Sequence, residues 1–320
     1  MSQPKVLVTG ATGFVGEAIV FKLLVGKSFT PVAAVRAESR LKGLCKTVSW
    51  EMGSSDTSVL FDGIQVVIHC AARVHVMNET AQDVLAEFRK ANVVGTLNLA
   101  RNAARSGVKR FIYISSIKVN GERTKPGRPF LSSDKASPLD PYGISKFEAE
   151  EGLKKISLET GMELVIIRPP LVYGPGVKAN FLSMMRWLEK NYPLPLGAVS
   201  NQRSIVFIEN LVDLVIVCIN HPAAAGRVLL VSDGTDVSTT QLLQRMAIAL
   251  GKKDRLLPVP AQLLRIVGSL TGRTHLIQRL CDSLQVDISE TCKTLNWTPP
   301  VSMDLALQRT ARHYQDSQRK

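Results

Sequence analysis

The sequence predicts an α/β fold: a doubly wound parallel sheet followed by a smaller C-terminal substrate-binding lobe. Three observations carry that expectation. Over residues 1–170, short apolar runs alternate with segments of helical spacing, the order that builds a parallel sheet with right-handed crossovers. The runs are continuously apolar rather than alternating, as strands covered on both faces require. Beyond Arg168 the texture changes: Pro and Gly crowd 169–176 and 193–197, and the regular alternation ends.

Residues 5–9 (KVLVT) read as the first strand, a glycine-rich turn follows, and 17–24 continue at helical spacing. Strands are expected at 32–35 (VAAV), 66–70 (VVIHC), 110–114 (RFIYI) and 164–167 (LVII). Helical periodicity covers 81–106 and stops at Gly107. A second long helix spans 140–160, with Asp140 as N-cap, Pro141 in the first turn and Gly161 as the terminator. Residues 1–170 are therefore expected to form a dinucleotide-binding domain and 171–320 mainly the second lobe. Within 200–232, the segments 204–219 and 228–231 are expected to return to the first sheet.

The chain has 320 residues, enough for two domains at roughly 150 each. Hydrophobic residues make up 45% and charged residues 21%, which excludes disorder. Forty Lys and Arg against 27 Asp and Glu give a net charge of +13, an attraction for anions. The basic residues are scattered, the densest being the pairs Lys154–Lys155 and Lys252–Lys253, and no basic-aromatic stacking surface is legible. No nucleic-acid partner is expected. The five cysteines form no CxxC and fit reduced thiols. The histidines form no HExxH, so no metal is expected. No apolar run approaches the ~18 residues of a membrane span. The most apolar stretch, 211–219, carries Asp213, and the start of the chain is too short and polar for a signal peptide. A cytoplasmic protein without a membrane partner is expected.

The glycine turn, GATGFVG at 10–16, lies between the first strand and the first helix. Glycine is required where the turn is tight, where backbone approaches a pyrophosphate and where the helix packs on the strand. The helix N-terminus then favours bound phosphate. An acid about 20 residues on would hold a ribose 2′-OH. Here Arg36 occupies that place, with Glu38 two residues and Arg40 four residues beyond. A guanidinium suits a 2′-phosphate, so NADP, or tolerance of both NADP and NAD, is expected.

Tyr142 and Lys146 are spaced i, i+4 and share one helix face. A tyrosine with an ordinary pKa near ~10 needs help to exchange protons near neutrality, and a neighbouring ammonium favours the phenolate. Ser115 and Ser116 follow the 110–114 strand, at the end where parallel sheets bind ligands. A hydroxyl there can donate to a developing oxyanion.

The series TGATGFVG (9–16), HCAA (69–72), NVVGTLNL (92–99), SSIKVNG (115–121), PYGISK (141–146) and RPPLVYGPG (168–176), with LNWTPPVSM (295–303), resembles the extended short-chain dehydrogenase/reductases. Within them it is most similar to the nucleotide-sugar epimerase/dehydratase group. The resemblance implies a Rossmann domain in which Gly10, Thr12, Gly13, Phe14, Val15 and Gly16 cradle the pyrophosphate, and Arg36, Ala71, Ala72, Asn92, Ser115 and Pro169 line the cofactor. It implies Ser116, Tyr142 and Lys146 as the catalytic set, with Lys146 also holding the nicotinamide ribose. Ser116 and Tyr142 would meet the sugar, and Asn180, Arg203 and Arg279 the UDP diphosphate. It also implies a homodimer through the helices at 81–106 and 140–160.

The sequence departs from the 4-epimerases of that group at Arg36, at Gly53-Ser54 in place of Gly-Asp, at Lys118 in place of a small hydroxyl residue and at Leu171 in place of asparagine. ARVHVMNE (72–79) and PPLVYGPGVKANFL (169–182) resemble a narrower set, the C4-reductases of UDP-4-keto-6-deoxy-N-acetylhexosamines, or UDP-N-acetylquinovosamine 4-dehydrogenases. That resemblance implies a place in O-antigen and surface-polysaccharide synthesis, with Arg73, His75 and Lys118 near the sugar. The alternative is a UDP-hexose(NAc) 4-epimerase with tightly bound NAD. A 4,6-dehydratase would want an acidic pair where Ile117 and Lys118 stand. A binding protein without catalysis would not need Ser116, Tyr142 and Lys146 together.

Overall fold

The structure, a computed structural model, describes residues 3–53, 58–74 and 83–319. The chain enters on β1 (Lys5–Thr9), turns into α1 (Phe14–Gly26), and continues through β2 (Thr30–Val35), β3 (Lys46–Ser49) and β4 (Ile64–His69). A helical stretch follows: α2 (Val84–Phe88), a π-helical segment (Arg89–Gly95) and α3 (Thr96–Arg105). Next come β5 (Arg110–Ile114), α4 (Pro141–Thr160), β6 (Glu163–Arg168), β7 (Leu171–Tyr173), α5 (Ala179–Glu189), β8 (Ile205–Phe207), α6 (Ile208–Asn220) and β9 (Val228–Leu230). The chain closes with α7 (Thr239–Ala249), α8 (Ala261–Leu270), α9 (Thr274–Cys281), α10 (Ser289–Leu295) and α11 (Met303–Gln318).

Seven strands form one sheet in the order β3-β2-β1-β4-β5-β6-β9, every pair parallel. Strand order reverses between β1 and β4, so the crevice beyond their carboxyl ends is where such a sheet accepts a ligand. Alternate strand residues feed two cores. Val6, Val8, Ile112 and Ile114 pack with α1 and α6. Leu7, Phe111 and Tyr113 pack with residues of α3 and α4. Both faces are covered, which is why the strands read as unbroken apolar runs.

Of the segment expected to return to the sheet, β9 does so beside β6. Residues 205–207 do not: β8 pairs in parallel with β7 as a separate two-stranded sheet. Helix α6 still comes back against α1, and Arg110 ties it there. Its Nη1 donates to the carbonyls of Cys218, Ile219 and His221, satisfying the open end of α6, while its guanidinium pairs with Glu163 at 2.6 Å. A buried carboxylate joins the small sheet to α6: Asp233 accepts from Tyr173 Oη (2.7 Å), Phe207 N (2.8 Å) and Asn210 Nδ2 (2.7 Å).

The 140–160 helix forms with its expected ends. Asp140 accepts from Gly143 N at 2.7 Å, and Gly161 ends the helix at φ 74°. The stretch expected as one helix at 81–106 differs; its first two residues lie outside the described region, and Arg89–Gly95 widens into π geometry. Strand β3 was not foreseen, because KTVS buries only Val48 and carries no periodicity to read.

Candidate active site

The glycine turn is built for a phosphate. Gly10 sits at φ 65°, and a Cβ there would lie 2.7 Å from Ala71 N. A Cβ on Gly16 would collide with the Gly10 carbonyl. The turn therefore packs directly on the loop after β4 and on its own helix, which only hydrogen in place of Cβ permits. Gly13 precedes α1 with no side-chain cap, so the N–H groups of the first turn, including those of Phe14 and Val15, stay available to an anion. These features fit a dinucleotide pyrophosphate over Gly10, Thr12, Gly13, Phe14, Val15 and Gly16.

At the end of β2, Arg36 is exposed and pairs with no carboxylate among the described residues. Its expected helper Arg40 is spent elsewhere, making two hydrogen bonds to the Glu17 carboxylate of α1. Glu38 pairs with Lys42. Arg36 is thus the one cation of this group left for a 2′-phosphate.

The corner expected to be catalytic lies between β5 and the first turns of α4. Lys146 is 1% exposed. Its Nζ donates to the Ile114 carbonyl at 2.8 Å and lies 4.5 Å from the Tyr113 ring centre and 5.9 Å from that of Tyr142. Burial pulls its pKa down to about 8, against the opposing pull of Cys70 and Glu150. Tyr142 is half-buried, edge-on to Phe88. Burial, then the Asp140 carboxylate, hold its phenol well above the usual range. Ser116 begins the short turn Ile117–Val119, its Oγ accepting from Lys118 N at 3.3 Å. Gly143 lets this turn lie on α4: a Cβ there would come within 3.0 Å of the Lys118 carbonyl.

Several expected contacts resolve differently. Lys118, expected near the sugar, forms ion pairs with Asp140 and, at 3.8 Å, Glu122. It screens the carboxylate that burdens Tyr142. The Ser115 hydroxyl turns inward and donates to Glu150 (2.5 Å). Asn92, in the π segment, bridges both ways to the Arg73 backbone (2.7 and 3.0 Å) and donates to Ser145 Oγ (3.0 Å). It fixes the loop after β4 against the residue preceding Lys146. Pro169 is buried, its carbonyl accepting from Ile117 N at 3.0 Å. Ala71 and Ala72 are half-buried beside the glycine turn. His75 and Ser54 lie outside the described residues.

Arg203 and Arg279 come together. Arg203 Nη1 donates to the Arg279 carbonyl (2.9 Å) and the Asp282 carbonyl (3.1 Å). Burial and the neighbouring Arg279 charge both lower the Arg203 pKa, although Asp282 opposes them. An anion there would relieve both. Asn180 is exposed in the first turn of α5, with no hydrogen bond to either arginine.

Sequence reasoning missed the buried polar framework behind the corner. Glu150 pairs with Arg168, whose Nη1 also donates to Asn120 Oδ1 at 2.9 Å. His69 bridges Thr9 (2.6 Å) and Thr96 (2.9 Å) and stacks on Tyr113. Burial, with the Lys146 charge second, holds it neutral with a pKa of about 3. Among the described residues, no group of three or more His, Cys, Asp or Glu could hold a metal ion.

A crevice whose glycine turn fits a pyrophosphate on one side, with a lysine-backed tyrosine on the other, suits hydride transfer between a nicotinamide and a carbinol carbon. Fold and site together define a nicotinamide-dependent enzyme of the doubly wound α/β class. The comparisons carry this further. The NAD dependent epimerase/dehydratase family model matches residues 6–231, and the chain belongs to that family. It is 48% identical to a UDP-glucose 4-epimerase of Vibrio cholerae over 315 residues, 98% of this chain and 96% of the relative. In fold it resembles the UDP-glucose 4-epimerase of Thermotoga maritima solved with UDP-glucose (TM-score 0.80, 20% identity, 98% and 99% of the two chains). It also resembles the UDP-glucuronic acid 4-epimerase of Bacillus cereus solved with NAD (TM-score 0.78, 19% identity, 98% and 99%).

Proposed function

We propose that this protein is a UDP-hexose or UDP-N-acetylhexosamine 4-epimerase that works with bound NAD. The observation that carries the reading is the 48% identity, over nearly the whole of both chains, to a UDP-glucose 4-epimerase. Bound NAD supplies a hydride acceptor and donor beside the sugar. The chain's own residues handle the proton and the geometry. Tyr142 takes the proton from the C4 hydroxyl and returns it to the C4 oxygen after the sugar has turned. Ser116 hydrogen-bonds the same oxygen while charge develops on it. Burial and the Asp140 charge hold the Tyr142 phenol protonated, and the ammonium of Lys146, 5.9 Å from its ring centre, favours the phenolate that proton uptake needs. Arg203 and Arg279 grip the diphosphate, so the sugar can rotate without release. A homodimer through α3 and α4 and a cytoplasmic setting, where the five free cysteines stay reduced, belong to the same reading.

One observation favours a second reading. The exposed, unpaired Arg36 suits an exchangeable NADP and hence net C4 reduction of a UDP-4-keto-6-deoxy-N-acetylhexosamine for polysaccharide synthesis. One experiment separates the two. Purified protein receives UDP-glucose or UDP-N-acetylglucosamine without added cofactor, and the C4 epimer is followed by proton NMR. Epimer should form, and Tyr142→Phe should slow it by about 10²- to 10⁴-fold while UDP-sugar binding persists. No epimer, but stoichiometric NADPH oxidation by the 4-keto sugar, would overturn the epimerase in favour of the reductase.

A further inference from the structure

Helix α8 has two apolar faces and one body to pack against. Leu264 and Gly268 face inward, Gly268 so closely that a Cβ would meet Ile277 of α9 at 2.6 Å. Leu263, Ile266, Val267 and Leu270, spaced i, i+3, i+4, i+7, stand on the opposite side with 51, 57, 48 and 82% exposure. Leu257 before the helix and Leu276 on α9 are exposed as well. Other strongly exposed apolar residues, such as Val25 and Leu158, lie singly on separate helices. A continuous apolar stripe on a soluble fold marks a contact surface.

The charges of the segment that carries the stripe say what it contacts. Lys252, Lys253, Arg255, Arg265, Arg273 and Arg279 stand in 251–281 against Asp254 alone. Of these, Arg265 is paired, with Asp282 at 2.7 Å. An apolar helix face within a segment of exposed lysines and arginines matches an interface of acyl chains beneath acidic headgroups. A second copy of a chain of net charge +13 would set this basic segment against its like.

We propose that α8 docks the protein reversibly onto an anionic lipid bilayer, lying in the interface rather than crossing it. No helix of the described residues is long and apolar enough to span a membrane, and α8 has 10 residues. The proposal departs from the sequence expectation of no membrane partner.

Sedimentation with vesicles tests this. The full chain is mixed with vesicles of phosphatidylglycerol and phosphatidylethanolamine in equal parts, or of phosphatidylcholine alone, at low and high salt. Binding to the first, release by salt and weak binding to the second are expected. Ile266→Gln/Leu270→Gln and, separately, Lys252→Glu/Lys253→Glu should each weaken binding by about tenfold or more. Circular dichroism and turnover of soluble substrate should not change. Equal binding to both vesicles, or none to the acidic ones, would overturn the proposal. So would a concentration-dependent rise in mass that the Ile266→Gln/Leu270→Gln variant abolishes while vesicle binding is absent.

Discussion

The interior corner behind β5 and the exposed rim at the end of β2 treat charge in opposite ways. Behind Lys146 the ions are buried and answered: Glu150 by Arg168 and Ser115, Lys146 by the Ile114 carbonyl. At the rim Arg36 stands in solvent with no partner among the described residues, while Arg40 and Glu38 pair with neighbours. Burial makes each interior partner indispensable, since an orphaned ion there has no water to replace it. The rim tolerates change because solvent already satisfies it. Chemistry is thus fixed where the fold is rigid, and cofactor choice is set where substitution costs least.

Breaking the interior should produce the largest effect on stability. Glu150→Gln removes the charge that answers Arg168, 3% exposed, and strands the guanidinium. A loss of about 3–5 kcal/mol in urea-unfolding free energy is expected. Replacing both members by methionine should cost clearly less than the sum of the single changes, because no buried charge is then left alone. Additive costs would mean that the pair is not coupled and that the contrast with the rim is wrong.

A smaller and pH-dependent effect should come from His69. Its pKa is held at about 3 in the fold, against the ordinary 6.5 of a free imidazole. Between these values the unfolded chain binds a proton that the native chain refuses. Stability therefore falls as pH falls through that window, by up to ~1.4 kcal/mol per pH unit. His69→Gln should flatten this part of the acid limb, whatever its cost at neutral pH. Thermal melts of both proteins from pH 7 to pH 4.5 would check it; parallel curves would show that His69 takes up its proton without unfolding the chain.

The two regions also differed in how far the sequence revealed them. The glycine turn, the Tyr142–Lys146 spacing and the Asp140 cap are local patterns, written within a few residues of one another. The framework is not. Glu150 and Arg168 are 18 residues apart, Asn92 and Ser145 are 53, Thr9 and His69 are 60, and sheet packing alone brings each pair together. Residues 89–95 keep ordinary helical composition, so nothing marked their π geometry. The buried His69 had one faint signal, a polar residue ending an apolar strand. Residues 205–207 were expected in the large sheet because an apolar tripeptide does not say which edge it will meet.

Arg36→Ala should be the mildest substitution and the sharpest test of the rim. Arg36 is exposed and pairs with no carboxylate, so its loss should change the unfolding free energy by less than ~0.5 kcal/mol. Its effect should appear in binding alone. If the guanidinium receives a 2′-phosphate, NADPH affinity measured by nucleotide fluorescence should fall about tenfold, the equivalent of ~1.4 kcal/mol, while NADH affinity holds. Equal affinities before and after would make Arg36 a solvated surface charge and would leave NAD as the cofactor this rim admits. A fall in both would mean that the guanidinium meets a group the two cofactors share. The difference between them is one phosphate on the adenosine ribose, and Arg36 is the cation at the end of β2 with no other partner to hold.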